Sequence, residues 1–517
     1  MLLPLVLLTL ASDYDVLIQN ARIIDGTGNA WFRGDLGVKA GRIAAIGNLK
    51  GKTADRTIDA ANRVATPGFI DVHTHVEGNI EESPSADNYL LDGVTTIVTG
   101  NCGGSVINVG DWFRKLEQLG IGLNVATLIG HNGVRSEVMG RANRPATPDE
   151  IARMQGIIDR AMRDGAVGFS TGLIYIPGTY SNTDEVVALA KAASKYGGVY
   201  ASHMRNEGEE ILSAIREAVT VGKESGLRVQ LSHFKINTPK IWGFSEQSLA
   251  LVEQYRQQGV DVVVDQYPYD RTSTNLGIML PSWALADGPA KVTERIQDPA
   301  TRKKILADMK AFVTGRGHTD YSFATVAAYR PEPKYNGKTI SEINLLLSRP
   351  RGLDSEAETI LDMMVKGGAQ MIYLSMGDVD IERILRYPQT AIASDGGIQT
   401  TGRGMPHPRS FGTNAKVLAE WVRDRKVLTL EDAIRRMTSL PARTFAFHDR
   451  GILKEGAAAD ILIFDPVKVQ DKSTFTDPHH YSEGFDYVLV NGKLAVENGK
   501  LTAGRHGVAL RRADTSR

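Results

Sequence analysis

The sequence predicts an α/β protein: a (β/α)8, TIM-like barrel over residues 67–445, a small β domain formed from both chain ends (13–66 with 446–517), and an inserted subdomain or lid at 283–350. Three observations lead there. Short apolar runs alternate with helical patterns through the centre of the chain. Residues able to hold a metal fall at the ends of those runs. The two chain ends share one style of short strands and tight turns. A doubly wound sheet would show the same alternation, so the placement of the polar residues carries the choice.

At 517 residues the chain can bury one large core and a smaller one. Lys+Arg and Asp+Glu are equal at 60 each, which gives no electrostatic reason to expect nucleic acid or an acidic membrane as partner. The start, "MLLPLVLLTLAS", is apolar but too short to span a bilayer. Residues 1–12 resemble a signal-peptide remnant without its basic region, which leaves both a cytoplasmic and a periplasmic or secreted location open. Oligomeric state is left open as well.

Residues 14–66 read as short strands with turns at Asp25-Gly26 and Ala40-Gly41. The C-terminal end returns to this style in "ADILIFDP" and in "VLVNGKLAV", where Asn491-Gly492 marks a hairpin. Barrel strands are expected at 68–73, 94–100, 122–130, 166–171, 199–203, 228–233, 260–267 and 391–395. Thr147 caps a helix with Pro148 in its first turn, and Asn182 or Thr183 caps the next. Residues 283–350 are too long for a simple connection, and "MIYLSM" at 371–376 is a strand-like piece beyond the eight.

The chemistry starts at "GFIDVHTH". Alternation along a strand puts His73 and His75 on one side of its end. Alone, two loop histidines are the commoner explanation. Cys102, the one cysteine, follows the second strand, however. His203 ends the fifth, His233 the sixth and Asp395 the last. All strand C-termini of such a barrel meet on one face, where active sites lie. His131 reads as structural and His407 as a loop residue near the site. His318, His448, His479, His480 and His506 read as surface or scaffold.

Together "PGFIDVHTH", "NCGGS", "GAVGFSTGLIYIPGTYS", "YASHMRNEG", "LSHFK", "DQYPYDRTSTNL" and "ASDGG…HPRSFGT" resemble the D-aminoacylase (N-acyl-D-amino-acid deacylase) family of the amidohydrolase superfamily. These motifs span residues 66–413, and with the flanking β segments the resemblance covers nearly the whole chain. It implies one Zn2+ held tightly by Cys102, His203 and His233, with His73 and His75 forming a second site. Many amidohydrolases bridge two metals with a carboxylated lysine. None stands in "AVGFST", and Cys102 takes that role, so the number of metals stays open. Asp395 is implied as general base and acid. Lys235, Tyr267 and Ser273 are assigned to the α-carboxylate of a small-molecule substrate, and Arg409 to the rim. Lys235 is also two residues beyond His233, hence on its side if the strand continues. Arg205, Asn206 and Glu207 are candidates to orient His203. Asn414 departs from the pattern, standing where an aromatic residue is expected.

The implied activity is hydrolysis of N-acyl-D-amino acids to a carboxylate and a free D-amino acid. The alternatives are opening of cyclic amides, in the manner of hydantoinases and dihydroorotases, or cleavage of dipeptides. A non-catalytic scaffold fits less well, because Cys102, His203, His233 and Asp395 are all present.

Overall fold

The computed structural model describes residues 12–512. The apolar start read as a signal-peptide remnant lies outside the described residues, except for Ser12. Among the described residues no helix is long and apolar enough to cross a membrane.

The chain opens with strands β1 (Tyr14–Ile23), β2 (Phe32–Lys39), β3 (Arg42–Gly47), β4 (Ala54–Asp59) and β5 (Val64–Pro67). The β2–β3 hairpin turns at Ala40 (φ 49°) and Gly41 (φ 76°), two consecutive left-handed residues whose twist matches that of paired strands. Asp25-Gly26 opens a longer connection between β1 and β2 instead.

The barrel follows. Its strands are β6 (Phe69–Asp71), β7 (Val94–Thr99), β8 (Asn124–Thr127) continued past Leu128 by β9 (Ile129–Gly130), β10 (Gly168–Gly172), β11 (Val199–His203), β12 (Arg228–Leu231) and β13 (Val262–Gln266). The insertion carries β14 (Arg271–Asn275), β15 (Ala324–Ala328) and β16 (Gln370–Leu374), and β17 (Thr390–Ile392) completes the ring. Neighbours pair in parallel from β6 to β8 and from β9 to β13 and β17. The Val167 N–H donates to the Thr127 carbonyl at 2.9 Å and carries the ladder across the break at Leu128. Asp395 N–H donates to the His73 carbonyl at 2.8 Å, and Thr74 bridges Gly396, so the last strand returns to the first. Asp71 helps to close this seam, its carboxylate accepting from the backbone N–H groups of His73 and Ser394, each at 3.1 Å. The lumen is filled by small and β-branched residues, among them Val72, Val98, Ala126, Ala201, Val263 and Ala391, as a narrow barrel requires.

Outside the ring, helix Pro148–Arg163 is capped by Thr147 in a reciprocal box with Glu150. Asn182, not Thr183, caps helix Thr183–Ser194.

The insertion runs between β13 and β17 and has its own core of Leu276, Ile305, Met309, Tyr321, Ile343 and Ile360. It reaches beyond 283–350 on both sides. The "MIYLSM" piece forms β16, the central strand of an antiparallel sheet ordered β14-β16-β15. The polar run "RTSTN" of β14 carries no alternation to announce it.

After the barrel come β18 (Ile461–Phe464), β19 (Phe485–Val490), β20 (Lys493–Glu497) and β21 (Lys500–Leu501). They join β1–β5 in one sheet through the antiparallel β5–β18 pair. Asn491-Gly492 makes the β19–β20 turn with both residues left-handed.

Candidate metal centre

The six residues expected at strand ends converge. Cys102 Sγ lies 3.3 Å from His73 Nε2, 3.5 Å from His233 Nε2 and 3.6 Å from His203 Nδ1. Asp395 Oδ1 lies 3.0 Å from His75 Nε2 and 3.4 Å from His73 Nε2. The donors form three overlapping groups, each within 4.8 Å: Cys102 with His203 and His233, Cys102 with His73 and His75, and Asp395 with His73 and His233. Cys102 is common to the first two.

Backbone conformation sets this geometry. Cys102 (φ 52°), His233 (φ 35°) and Asp395 (φ 51°) all lie in the left-handed region, which L side chains seldom adopt. Each turns its side chain inward just past a strand end. The backbone packs closely at this turn: a Cβ on Gly172 would meet the Cys102 carbonyl oxygen at 2.1 Å.

The donor set suits a metal. Burial pushes the Cys102 thiol up, but the surrounding His73, His233 and His203 more than offset it and hold the thiol well below its ordinary range. A thiolate and two imidazoles with a position left over for water make a catalytic zinc-type set.

Two acids orient the imidazoles. Asp265 accepts from the backbone N–H of His233 at 2.7 Å and from Gln230 Nε2 at 2.7 Å, and faces His73 Nδ1 at 3.2 Å. Glu207 faces His233 Nδ1 at 3.0 Å and accepts from Lys235 Nζ at 2.7 Å. With these inner nitrogens engaged, the Nε2 atoms of His73 and His233 are left for the centre. Of the "RNE" candidates for orienting His203, only Glu207 comes near these imidazoles, and it meets His233 at 3.0 Å rather than His203, whose Nε2 is 4.0 Å away. Arg205 pairs with Glu217, and Asn206 accepts from the Gly208 N–H. Asp265 was not singled out in the sequence, although it stands at a strand end in "VDVVVDQY".

The expected substrate-binding residues divide. Lys235 is buried and pairs with Glu207, and its Nζ also lies 2.7 Å from His233 Nδ1 and 2.8 Å from the His233 carbonyl. Arg409 is not at the rim: it is 5% exposed, and its Nη1 lies 2.8 Å from Asp395 Oδ2. Its guanidinium covers the Tyr267 ring at 4.7 Å. The Tyr267 hydroxyl is buried without a hydrogen-bond partner among the described residues. Ser273, on β14, donates to the Met371 carbonyl at 3.0 Å, yet it lines the same recess as Asp395, His75 and Arg409.

A second recess starts from His203, His233 and Asp395 and is walled by Tyr175, Lys235, Thr274 and the insertion's Phe312, Arg316 and His318. Tyr175 is a site residue the sequence reading missed. Its ring centre is 4.7 Å from that of His203, and its hydroxyl accepts from Thr274 Oγ1 at 3.2 Å. His318, read as surface or scaffold, lines this recess and stacks on Phe323 at 3.8 Å. The insertion brings it there.

His131 faces Glu185 at 2.9 Å and stays out of both recesses. His407 accepts the Arg409 N–H at Nδ1 and meets the Arg271 carbonyl with Nε2, each at 3.0 Å, which fixes one neutral tautomer. Asn414 does not face the site. Its Nδ2 and backbone N–H both donate to Asp92, at 3.0 and 2.8 Å, so the departure there is one of local packing.

Comparison with known proteins agrees with this architecture. A family model described as the amidohydrolase family matches residues 56–496. An N-acyl-D-glutamate deacylase of Alcaligenes xylosoxydans xylosoxydans is 34% identical over 92% of this chain and 93% of its own. A D-aminoacylase from the same organism is 31% identical over 96% and 98%. Among solved structures, an N-acyl-D-glutamate deacylase from Bordetella bronchiseptica, complexed with zinc and a phosphonate mimic of the tetrahedral intermediate, superposes with a TM-score of 0.82. It is 32% identical and covers 96% of this chain and 99% of its own.

Proposed function

The chain belongs to the amidohydrolase family, in its D-aminoacylase branch, and from that premise we propose that it hydrolyses the amide bond of N-acyl-D-amino acids with a metal cofactor. The observation that carries this reading is that Asp395 converges with His73 and His233, and His233 is also one of the Cys102, His203 and His233 donors. Cys102, His203 and His233 would hold a zinc ion, and His73, His75 and Cys102 would form a second, weaker position. Zinc bound there would acidify water and polarise the scissile carbonyl.

The protein's own residues supply the rest. Burial pushes the Asp395 carboxyl up, but Arg409, His73 and His75 more than offset it and hold it well below the usual carboxylate range. Asp395 is therefore an ionised acceptor. It takes a proton from the attacking water and passes it to the nitrogen of the departing amine as the C–N bond breaks, giving a carboxylate and an amino acid. Tyr267, with its unpartnered hydroxyl, and Arg409 and Ser273 beside it meet the substrate's α-carboxylate. Lys235 adds positive charge nearby while holding Glu207 against His233. The D preference is the one that the relatives' names carry.

The test is an assay of the purified protein on matched N-acetyl-D- and N-acetyl-L-amino acids, with metal content measured. D-selective release, abolished by chelation and restored by zinc, supports the proposal. No release from either series by zinc-loaded protein refutes it and moves the search to cyclic amides and dipeptides.

A further inference from the structure

Arg316 differs from the other cations at the site. Lys235 and Arg409 each have a carboxylate within hydrogen-bond distance, Glu207 and Asp395 respectively. Arg316 lines the same recess as His203, His233 and Asp395, but its guanidinium makes no ion pair or hydrogen bond among the described residues. It is half-buried and rests on the Phe312 ring, 4.3 Å from the ring centre. The acids whose charge reaches it are Glu207 and Glu209. Both are already engaged, Glu207 by Lys235 and His233, and Glu209 by Lys240 at 3.3 Å.

The plainer reading is that Arg316 merely ends helix Pro299–Gly315, where a cation suits the helix dipole. That end is already closed by the Arg316 backbone N–H, which donates to the Phe312 carbonyl and leaves the side chain uninvolved. The dipole also does not explain why the guanidinium lies on the wall of this recess rather than in solvent. The insertion's side of this wall carries no carboxylate and no second lysine or arginine: beside Arg316 it offers His318 stacked on Phe323, together with Ile278, Met279 and Leu374. Burial and Arg316 itself push the His318 imidazole below its ordinary value, so it adds no second charge at neutral pH. A planar fork of donors with no acid paired to it matches a carboxylate better than any neutral group.

We propose that Arg316 is a specificity-determining residue, which binds a second carboxylate of the substrate remote from the scissile amide. The favoured substrates are then N-acyl-D-amino acids with an acidic side chain or an acidic acyl group. This rests on the deacylase reading above and names the substrate class within it. The α-carboxylate has its own partners on the Tyr267 and Arg409 side of Asp395.

The test uses the full-length, zinc-loaded protein and two isosteric pairs. N-acetyl-D-glutamate against N-acetyl-D-glutamine varies the side chain. N-succinyl-D-leucine against its terminal amide varies the acyl group. Wild type should favour the acid in one pair by ~10-fold or more in kcat/KM. Arg316→Met keeps the stem over Phe312 and should lower that ratio roughly tenfold, while Arg316→Lys should retain part of it. The pair that responds identifies which carboxylate Arg316 reads. Wild type with no preference in either pair, or an unchanged ratio in Arg316→Met, overturns the proposal while turnover of the neutral members leaves the deacylase reading standing. If no member is hydrolysed, both fall.

Discussion

Lys235 Nζ and Glu207 Oε1 lie 2.7 Å apart, both side chains buried, and the same Glu207 oxygen faces His233 Nδ1 at 3.0 Å. One carboxylate thus serves a cation on the recess wall and an imidazole of the candidate metal centre. Burial pushes Glu207 up, yet Lys235, His203 and His233 hold it well below the ordinary range. Glu207→Gln keeps the shape but removes the charge. Metal affinity should fall ~10- to 100-fold, as chelator competition would measure. An unchanged affinity would show that His233 needs no such partner.

Asp395→Asn should keep its metal and lose most turnover, on the order of 10²- to 10⁴-fold in kcat. Metal analysis and kinetics on one preparation decide it. Loss of metal and of the folded state together would make the role of Asp395 structural.

Cys102→Ala should leave dialysed protein with much less zinc, because Cys102 is common to two of the three donor groups. Zinc content equal to wild type would remove Cys102 from the ligand set.

Gly103→Ala tests the backbone beside it. Gly103 has φ 74°, and a Cβ there would meet Asn132 Oδ1 at 2.0 Å. Asn132 cannot easily yield, since its amide bonds both the carbonyl and the N–H of Gly172. The variant should lose roughly 2 kcal/mol of stability and bind metal less well. A melting temperature and metal content matching wild type would contradict this packing.

Asp471 carries a pH signature away from the metal. Burial pushes its carboxyl up to about 6, against hydrogen bonds from the Ser473 N–H and the Tyr269 hydroxyl. The folded state therefore keeps a proton that the unfolded chain releases near pH 4. Wild type loses this contribution as pH rises from about 4 through 6. Asp471→Asn has no such proton, so its stability relative to wild type should improve by roughly 1 kcal/mol from pH 5 to pH 8. A pH-independent difference in denaturation midpoints would count against it.

Much of this architecture could be read before any coordinates. The barrel strands announce themselves as apolar runs, and the hairpins at Ala40-Gly41 and Asn491-Gly492 by turn chemistry. Cys102, His203, His233 and Asp395 stood out because rare, reactive residues fell on the schedule of strand ends. β14 was not legible, since "RTSTN" has no apolar period, and the insertion was accordingly drawn too narrowly.

Lys235 shows where periodicity runs out. Alternation put it beside His233, but β12 ends at Leu231 and His233 takes φ 35°, so no strand carries the alternation forward. Its partner was a matter of which acid came near. Asp265 and His73 are 192 residues apart, and Asp395 and Arg409 meet only because helix Arg409–Lys416 folds back over the barrel mouth.

Residue type and short-range period thus specified, from sequence alone, the strands, the turns and the kinds of chemistry available, because these depend on neighbours a few residues away. Which acid orients which imidazole, which cation is already paired, and that Arg316 is left unpaired among the described residues were settled by long-range packing. Charges act over ångströms of space rather than positions in the chain, and only closure of the barrel and docking of the insertion bring those distances into being.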